Sequence, residues 1–326
     1  MIFLHEIEKE VFKFADYQPN EIYYTLSDAN KDTIQEETKA NGFGGSGGGF
    51  SAPGVEEVVR AYMERSNLTV LELDIDLRLE GTQEGTTHYR NHGIKVLYTA
   101  GNVRKAGVVT ADGIASSRFL TTADCAFLYK NHQYQLQYYI DSGSETYTLG
   151  TYYRDGRVTN NGSKINAGLG SQRFSYSADI AKYIVYLGNR QFTIYMMDDT
   201  PCEVVTFRNF FNAHDAIALP AAVTRNPSTE YETATLDRVS VPYDIEHKEE
   251  FTLVTAPLHP AMADQLLWMV RSRQVSYKEK VGSAEFTSDI IIKDYKLSRS
   301  SEPNTPIVFE MTFEYADTRL PSTLTL

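Results

Sequence analysis

The sequence predicts a mainly β protein built from antiparallel, sandwich-type domains, the C-terminal one carrying a single flanking α-helix. Three observations lead there. Val308-Phe-Glu-Met-Thr-Phe-Glu-Tyr315 alternates strictly, with Phe309, Met311, Phe313 and Tyr315 opposed by Glu310, Thr312 and Glu314, so one face meets a core and the other meets water. The 22 Tyr and 16 Phe against one Trp favour pleated, half-buried surfaces on which rings pack across strands and tyrosine hydroxyls stay wet. Residues 107–205 break into short apolar runs separated by turn residues, the spacing of a sandwich or barrel. At 326 residues the chain exceeds the usual size of one core, so more than one domain is expected. Its 42% hydrophobic and 23% charged residues are those of a globular chain, which argues against wholesale disorder.

Taken in order, residues 1–41 are polar, with short apolar patches at Val11-Phe-Lys-Phe14 and Ile22-Tyr-Tyr-Thr-Leu26 that read as weak strands or an arm. Gly42-Phe-Gly-Gly-Ser-Gly-Gly-Gly-Phe50 follows as a hinge, so 1–50 is expected to be an N-terminal arm with candidate assembly residues Gly44, Gly47 and Phe50. The next expected unit, 51–205, opens with a helix over Val55–Glu64, presenting Val55, Val58, Val59 and Tyr62 on one side. Leu71-Glu-Leu-Asp-Ile-Asp-Leu-Arg-Leu-Glu80 alternates without error and predicts a strand turned by Gly81-Thr-Gln-Glu-Gly85. Beyond it, Tyr134–Ile140 is expected to close at Asp141-Ser-Gly-Ser144, and Tyr147–Tyr153 at Arg154-Asp-Gly-Arg157. Asn160-Asn-Gly162 and Gly168-Leu-Gly170 suggest a longer exposed loop, and Tyr183–Leu187 with Phe192–Met196 a hairpin turned at Gly188-Asn189.

The last unit, 206–326, starts its core with the strand Phe251-Thr-Leu-Val-Thr255. Pro257-Leu-His-Pro260 then leads into a helix, where the second proline suits a first turn because the N–H it lacks has no partner there. Met262, Leu266, Leu267, Met269 and Val270 fall on one helix face, with Asp264, Gln265, Arg271 and Arg273 toward the other. The outward Glu310 and Glu314 of the closing strand are the candidate assembly residues of this unit.

No constellation of catalytic residues emerges. Gly42, Gly44 and Gly47 satisfy G-x-G-x-x-G, but the charged Thr33–Asn41 before them is no buried parallel strand to present a pyrophosphate to a helix. His88-Tyr-Arg-Asn-His92 has metal-ligand spacing only on a helix, and the surrounding glycines favour a solvated turn. Glu72, Asp74 and Asp76 share a strand face and read as its wet side rather than as a calcium loop. His214-Asp215 is no dyad, since neighbours in extended chain point apart. There is no Gly-x-Ser-x-Gly elbow, and Cys125 and Cys202 stand far apart without CxxC spacing, as expected of core thiols. A net charge of −12 opposes nucleic-acid binding. No apolar run reaches the roughly 20 residues of a membrane-crossing helix. Met1–Glu10 lacks the basic flank and apolar core of a secretion signal, so a protein made and soluble in the cytoplasm is expected, with no cofactor, no metal and no membrane insertion.

Phe207-Arg-Asn-Phe-Phe-Asn-Ala213, the Glu250–Pro257 strand, Gln265-Leu-Leu-Trp268, Asp289-Ile-Ile-Ile292 and Phe309-Glu-Met-Thr-Phe-Glu-Tyr-Ala-Asp-Thr-Arg319 together resemble structural proteins of phage and prophage tails, of the distal-tail or tail-tube-like group. The resemblance covers about the last 120 residues and rests on the order of elements plus these strings. It implies a non-enzymatic baseplate or tail component that self-associates into a ring or tube, meets other tail proteins and ends in the virion, with a host-surface glycan as a further partner. The alternative from another class is a carbohydrate-binding β-sandwich or adhesin using exposed tyrosines of 107–205.

Overall fold

The structure, a computed structural model, describes residues 2–9, 12–13, 19–40, 49–50, 54–81, 87–101, 117–123, 125–130, 132–188, 190–197, 202–236, 239–281, 284–298 and 305–316. It is mainly β, with three large sheets that succeed one another along the chain. The first unit contains β1 (Ile2–Phe3), β2 (Phe12–Lys13), β3 (Pro19–Asp28), β4 (Thr33–Lys39), β5 (Gly49–Phe50), α1 (Val55–Arg65), β6 (Val70–Gly81) and β7 (Thr87–Leu97). Its sheet runs β1-β7-β6-β3-β4. The alternation read in β6 is borne out: Leu71, Leu73, Ile75, Leu77 and Leu79 share one core with Val55, Val59 and Met63 of α1. On the opposite face Lys95, Lys31 and Asn91 reach Glu72, Asp74 and Asp76. On α1 the buried stripe is Val55, Val59 and Met63, while Val58 and Tyr62 are only half-buried.

Two expectations fail in this unit. Residues 19–40 are core strands, not an arm: Ile22, Tyr24 and Leu26 alternate inward and β3 pairs β6 from Pro19 to Asp28. The sheet thus crosses the division expected at residue 50. Of the two readings of Ile22–Leu26, weak strand or arm, the strand holds, because its apolar positions meet the inward face of β6. His88 and His92 lie in β7 rather than in a turn, paired to Leu79 and Ile75 of β6.

The second unit is β8 (Ser117–Phe119), β9 (Cys125–Leu128), β10 (Gln133–Tyr153), β11 (Val158–Ser175), β12 (Ile180–Leu187) and β13 (Arg190–Met196), ordered β11-β10-β12-β13-β9 with β8 also on β10. Cross-strand rings hold it: Tyr134 stacks on Phe192 at 5.9 Å and Phe174 packs on Tyr183 at 5.3 Å. The hairpin at Gly188 is as expected, with φ +57° there. The turn expected at Asp141–Ser144 is instead a bulge within one continuous strand, placed between Ile140 and Ser144 and eased by Gly143 at φ +71°. The loop expected around Asn160–Gly170 is the edge strand β11, whose exposure was read correctly and its pairing missed. Gly170 leaves room for the Tyr138 ring on the neighbouring strand, which would have to shift for a Cβ there, since the two would come within 2.4 Å.

The third unit comprises β14 (Glu203–Arg208), β15 (His214–Leu219), β16 (Ala221–Leu236), β17 (Val239–Thr255), α2 (Ala263–Arg271), β18 (Val275–Val281), β19 (Ala284–Ser298) and β20 (Val308–Tyr315). The order is β15-β14-β18-β19-β20-β17-β16. Strand β19 serves both halves. Its first part pairs β18 and its second part pairs β20, with a bulge between Ile292 and Asp294, so the ribbon can fold over a common core. In that core Phe313 touches Phe251 at 5.4 Å and Tyr277 at 5.3 Å, and Met262, Leu266 and Met269 cover it from the helix side. His259 caps the turn that Pro260 begins, its Nδ1 accepting from the Ala261 N–H at 3.2 Å.

The buried helix face differs from the expected one at three positions. Gln265, assigned to the polar side, is only 3% exposed, whereas Leu267 and Val270 are half-buried. Its amide donates to Asp215 Oδ1 at 3.4 Å and to the Ala216 carbonyl at 3.5 Å, so the polar group enters the interior because acceptors wait there. Leu266→Ala is expected to cost about 2–5 kcal/mol as a large-to-small core change. Gln265→Ala is expected to cost about 1–3 kcal/mol by leaving buried acceptors without their donor. Urea unfolding of both variants checks this, and a Gln265→Ala protein as stable as the wild type contradicts the buried assignment.

Candidate functional site

Two long antiparallel strand pairs stand out, β10–β11 and β16–β17. Strands β10 and β11 have 21 and 18 residues. At about 3.3 Å per residue such a ribbon runs to roughly 55–60 Å. Strands β16 and β17, of 16 and 17 residues, are joined from Ala221↔Thr255 out to Leu236↔Val239. Of β17, the stretch Phe251–Val254 also pairs β20, and beyond it no further strand lies beside either edge among the described residues. The outer edge of β11 is likewise unpaired there, and nearly all its residues are exposed. A row of main-chain N–H and C=O groups open to solvent is a template for another strand, and a two-stranded stretch such as the outer length of β16–β17 is marginal by itself.

The residues singled out in the sequence distribute unevenly over these surfaces. Glu310 and Glu314 point away from the core of the third unit, as the alternation requires, and Lys296 and Lys293 pair with them at 3.7 and 2.6 Å. The exposed Val254, Ile291 and Val308 share that sheet with them. Phe50 lies in β5, paired to Phe12 of β2. Gly44 and Gly47 lie outside the described residues. Of the tyrosines in 107–205, Tyr195 is the exposed one among the described residues, at 38%. Tyr134, Tyr139 and Tyr147 are buried, their rings serving the sheet's own packing. Cys125 is buried and Cys202 half-buried, and no disulfide joins them. Among the described residues no group of three or more His, Cys, Asp and Glu is placed to hold a metal ion.

What holds the three units in fixed relation is the turn Asn209–Ala213 between β14 and β15. Asn209 Oδ1 accepts from the N–H groups of Phe211 and Ala213 at 2.9 and 3.2 Å, closing the turn on itself. Its amide nitrogen donates to the Leu120 carbonyl of the second unit at 2.7 Å. Asn212, left-handed at φ +56°, donates to the carbonyls of Met63 and Leu68 at the end of α1, at 3.3 and 3.1 Å. The Phe210 carbonyl accepts from the Ala100 N–H at 2.9 Å, and its ring meets Phe211 and Trp268 edge-on at 5.3 and 5.0 Å. Phe3, Leu97, Leu120, Tyr139, Phe210, Phe211 and Ala213 form one buried cluster drawn from all three units.

Beside the turn Asp215 is buried, as is Tyr134 of the second sheet. Thr121 Oγ1 and Asn209 Nδ2 donate to Asp215 Oδ2 at 3.2 and 3.4 Å, and the Ala216 N–H and Gln265 amide donate to Oδ1. Loss of water pushes the Asp215 carboxyl above its ordinary range, against the pull of these donors. Its neighbour His214 is exposed, so the two side chains point apart as expected. On the outside of the same seam a cleft of about 340 Å³ opens between α1 and the end of α2, lined by Arg60, Glu64, Arg208, Trp268, Arg271 and Arg273. Glu64 there accepts from Tyr98 at 2.6 Å and pairs with Arg273, tying the first unit to the third.

No protein-family model matches the chain, and a search of curated proteins returns no match. The surfaces and the seam therefore carry the functional reading unaided.

The buried Asp215 gives the seam a pH signature. A carboxyl raised in the folded state contributes stability that is complete below the unfolded value of about 3.9 and is lost as pH rises through the folded value. Asp215→Asn removes that dependence. The stability of the wild type relative to Asp215→Asn is expected to fall as pH rises above about 4. Denaturant midpoints across that range measure it, and a difference that grows with pH contradicts the buried carboxyl.

Proposed function

We propose that this chain is a non-enzymatic structural component of a phage or prophage tail, a distal-tail or baseplate-type subunit that assembles into a ring or tube with copies of itself and with other tail proteins. The observation that carries the reading is two long open strand edges, the outer edge of β11 and the outer length of the β16–β17 pair, on units that the Asn209–Ala213 turn joins. Added strands supply main-chain hydrogen bonds that need no particular side chain, and rings or tubes grow where one surface of a subunit meets a different surface of the next. The tail-like strings of 207–319 agree with it. The many buried tyrosines of the second sheet favour this reading over a sugar-binding face.

Replacing Pro227–Glu249 by Asn-Gly is expected to leave a folded protein, because the core of the third unit lies below that level, yet to abolish rings or tubes. Negative-stain microscopy with sedimentation velocity reads the result, and assemblies that persist without the ribbon would sink the proposal.

Reversing charge at Glu310 and Glu314 to Lys sets each beside Lys296 or Lys293 instead of pairing with it. Exposed pairs of this kind are worth about 0–1 kcal/mol, so the melting temperature is expected to move little. If this face joins subunits, the assembly should weaken and its salt dependence change. Assembly unchanged at low salt removes the face from the interface.

A further inference from the structure

The guanidinium of Arg118 is a buried charge without a counter-charge. It is 2% exposed, and Nε, Nη1 and Nη2 all lack a hydrogen-bond partner. Arg118 belongs to β8, opposite Tyr139 of β10, at the edge of the cluster that joins the three units. The Phe3 and Phe211 rings lie 5.2 and 5.8 Å from its central carbon. Ring faces accommodate the cation's charge but leave its five in-plane N–H donors unserved. Arg190, at the start of β13, likewise has a buried Nε without a partner. The hydroxyl of Tyr147, in the same cross-strand row as Arg190 through Leu187, is buried and unserved too.

Burial pulls the Arg118 group down to about 10, and the positive charge of Arg190 acts in the same direction. An anion beside the idle donors of Arg118 would relieve both its missing hydrogen bonds and the influence of the like charge of Arg190. An isolated buried charge otherwise costs several kcal/mol. Guanidinium donors form a fork that matches the paired oxygens of a carboxylate, phosphate or sulfate. No carboxylate of the described residues pairs with either arginine.

We propose that Arg118 and Arg190 form a binding site for one small oxyanion, of the phosphate, sulfate or carboxylate class, where the second sheet meets the three-way junction. The Arg118 fork would hold the anion from the buried side, and Arg190, half-buried at the start of β13, would supply the second positive charge. Bound there, the anion neutralises the junction and adds its binding free energy to the stability of the whole fold.

Equilibrium dialysis of the full chain against radiolabelled inorganic phosphate tests this, with sulfate and acetate as competitors and potassium chloride at matched ionic strength as the control. About one phosphate per chain is expected, displaced by whichever competitor the fork accepts and lost in Arg118→Met and in Arg190→Gln. The melting temperature of the wild type should rise with phosphate beyond the chloride control, whereas that of Arg118→Met should stay level. In phosphate-free buffer Arg118→Met should melt no lower than the wild type, because it removes an unpaired buried charge while keeping the packed stem. If Arg118→Met fails to fold, Arg190→Gln decides by itself, its side chain being half-exposed. Absence of bound phosphate, sulfate and acetate in the wild type, or equal binding and equal melting shifts in the variants, overturns the proposal.

Discussion

The carboxamides of Asn209 and Asn212 are the hinge pins of this molecule. Each belongs to the same five-residue turn, yet their hydrogen bonds end in different units: Asn209 on Leu120 beside the second sheet, Asn212 on Met63 and Leu68 at the end of α1. The carbonyls at a helix C-terminus have no intrahelical donor, so a side-chain amide offered there satisfies a standing need. Because both amides are buried, losing either would strand donors and acceptors at about 1–3 kcal/mol apiece. The left-handed backbone of Asn212 is tolerated for the same reason, since asparagine adopts it more readily than branched residues do. Phe210 and Phe211 then bring the apolar contacts that a turn of this length usually lacks.

The seam joins the units that carry the long strand pairs. The β10–β11 pair belongs to the second unit and the β16–β17 pair to the third, and Asn209 links these units through its bond to the Leu120 carbonyl. Open strand edges on loosely linked domains would promote indiscriminate pairing. On rigidly related domains they present a defined spacing, which is what repeated growth of a ring or tube requires. The paired side chains of Asn209, Asp215 and Gln265 make the arrangement specific rather than strong, since buried polar groups that find each other admit few alternatives.

Much of the fold was legible where one face of an element alternates without interruption. β6, β20 and the β12–β13 hairpin read directly because core and water sort their residues one by one. Legibility failed wherever the partner lies far away in the chain. β3 looked like a polar arm because its inward Ile22, Tyr24 and Leu26 gain meaning only against β6, some fifty residues later. Likewise β11 looked like a loop because an edge strand exposed on both faces carries no alternation, and its asparagines and glycines speak for turns. Glu310 and Glu314 were readable as outward from their own strand. Asn209, Asn212, Asp215 and Arg118 were not read as a junction, although the Asn-Phe-Phe-Asn string had been noted. Two asparagines flanking two aromatics signal a buried turn, but nothing local says that the turn is shared by three sheets.

Native-state hydrogen exchange on the wild type and on Asn209→Ala addresses the shared turn most directly. If the turn unites the three units, the slowest amides of β6, β10 and β20 open with one common free energy, and Asn209→Ala lowers that value in all three together. Protection lost in the third unit alone, with β6 and β10 unchanged, would show the sheets to be independent bodies and contradict the account.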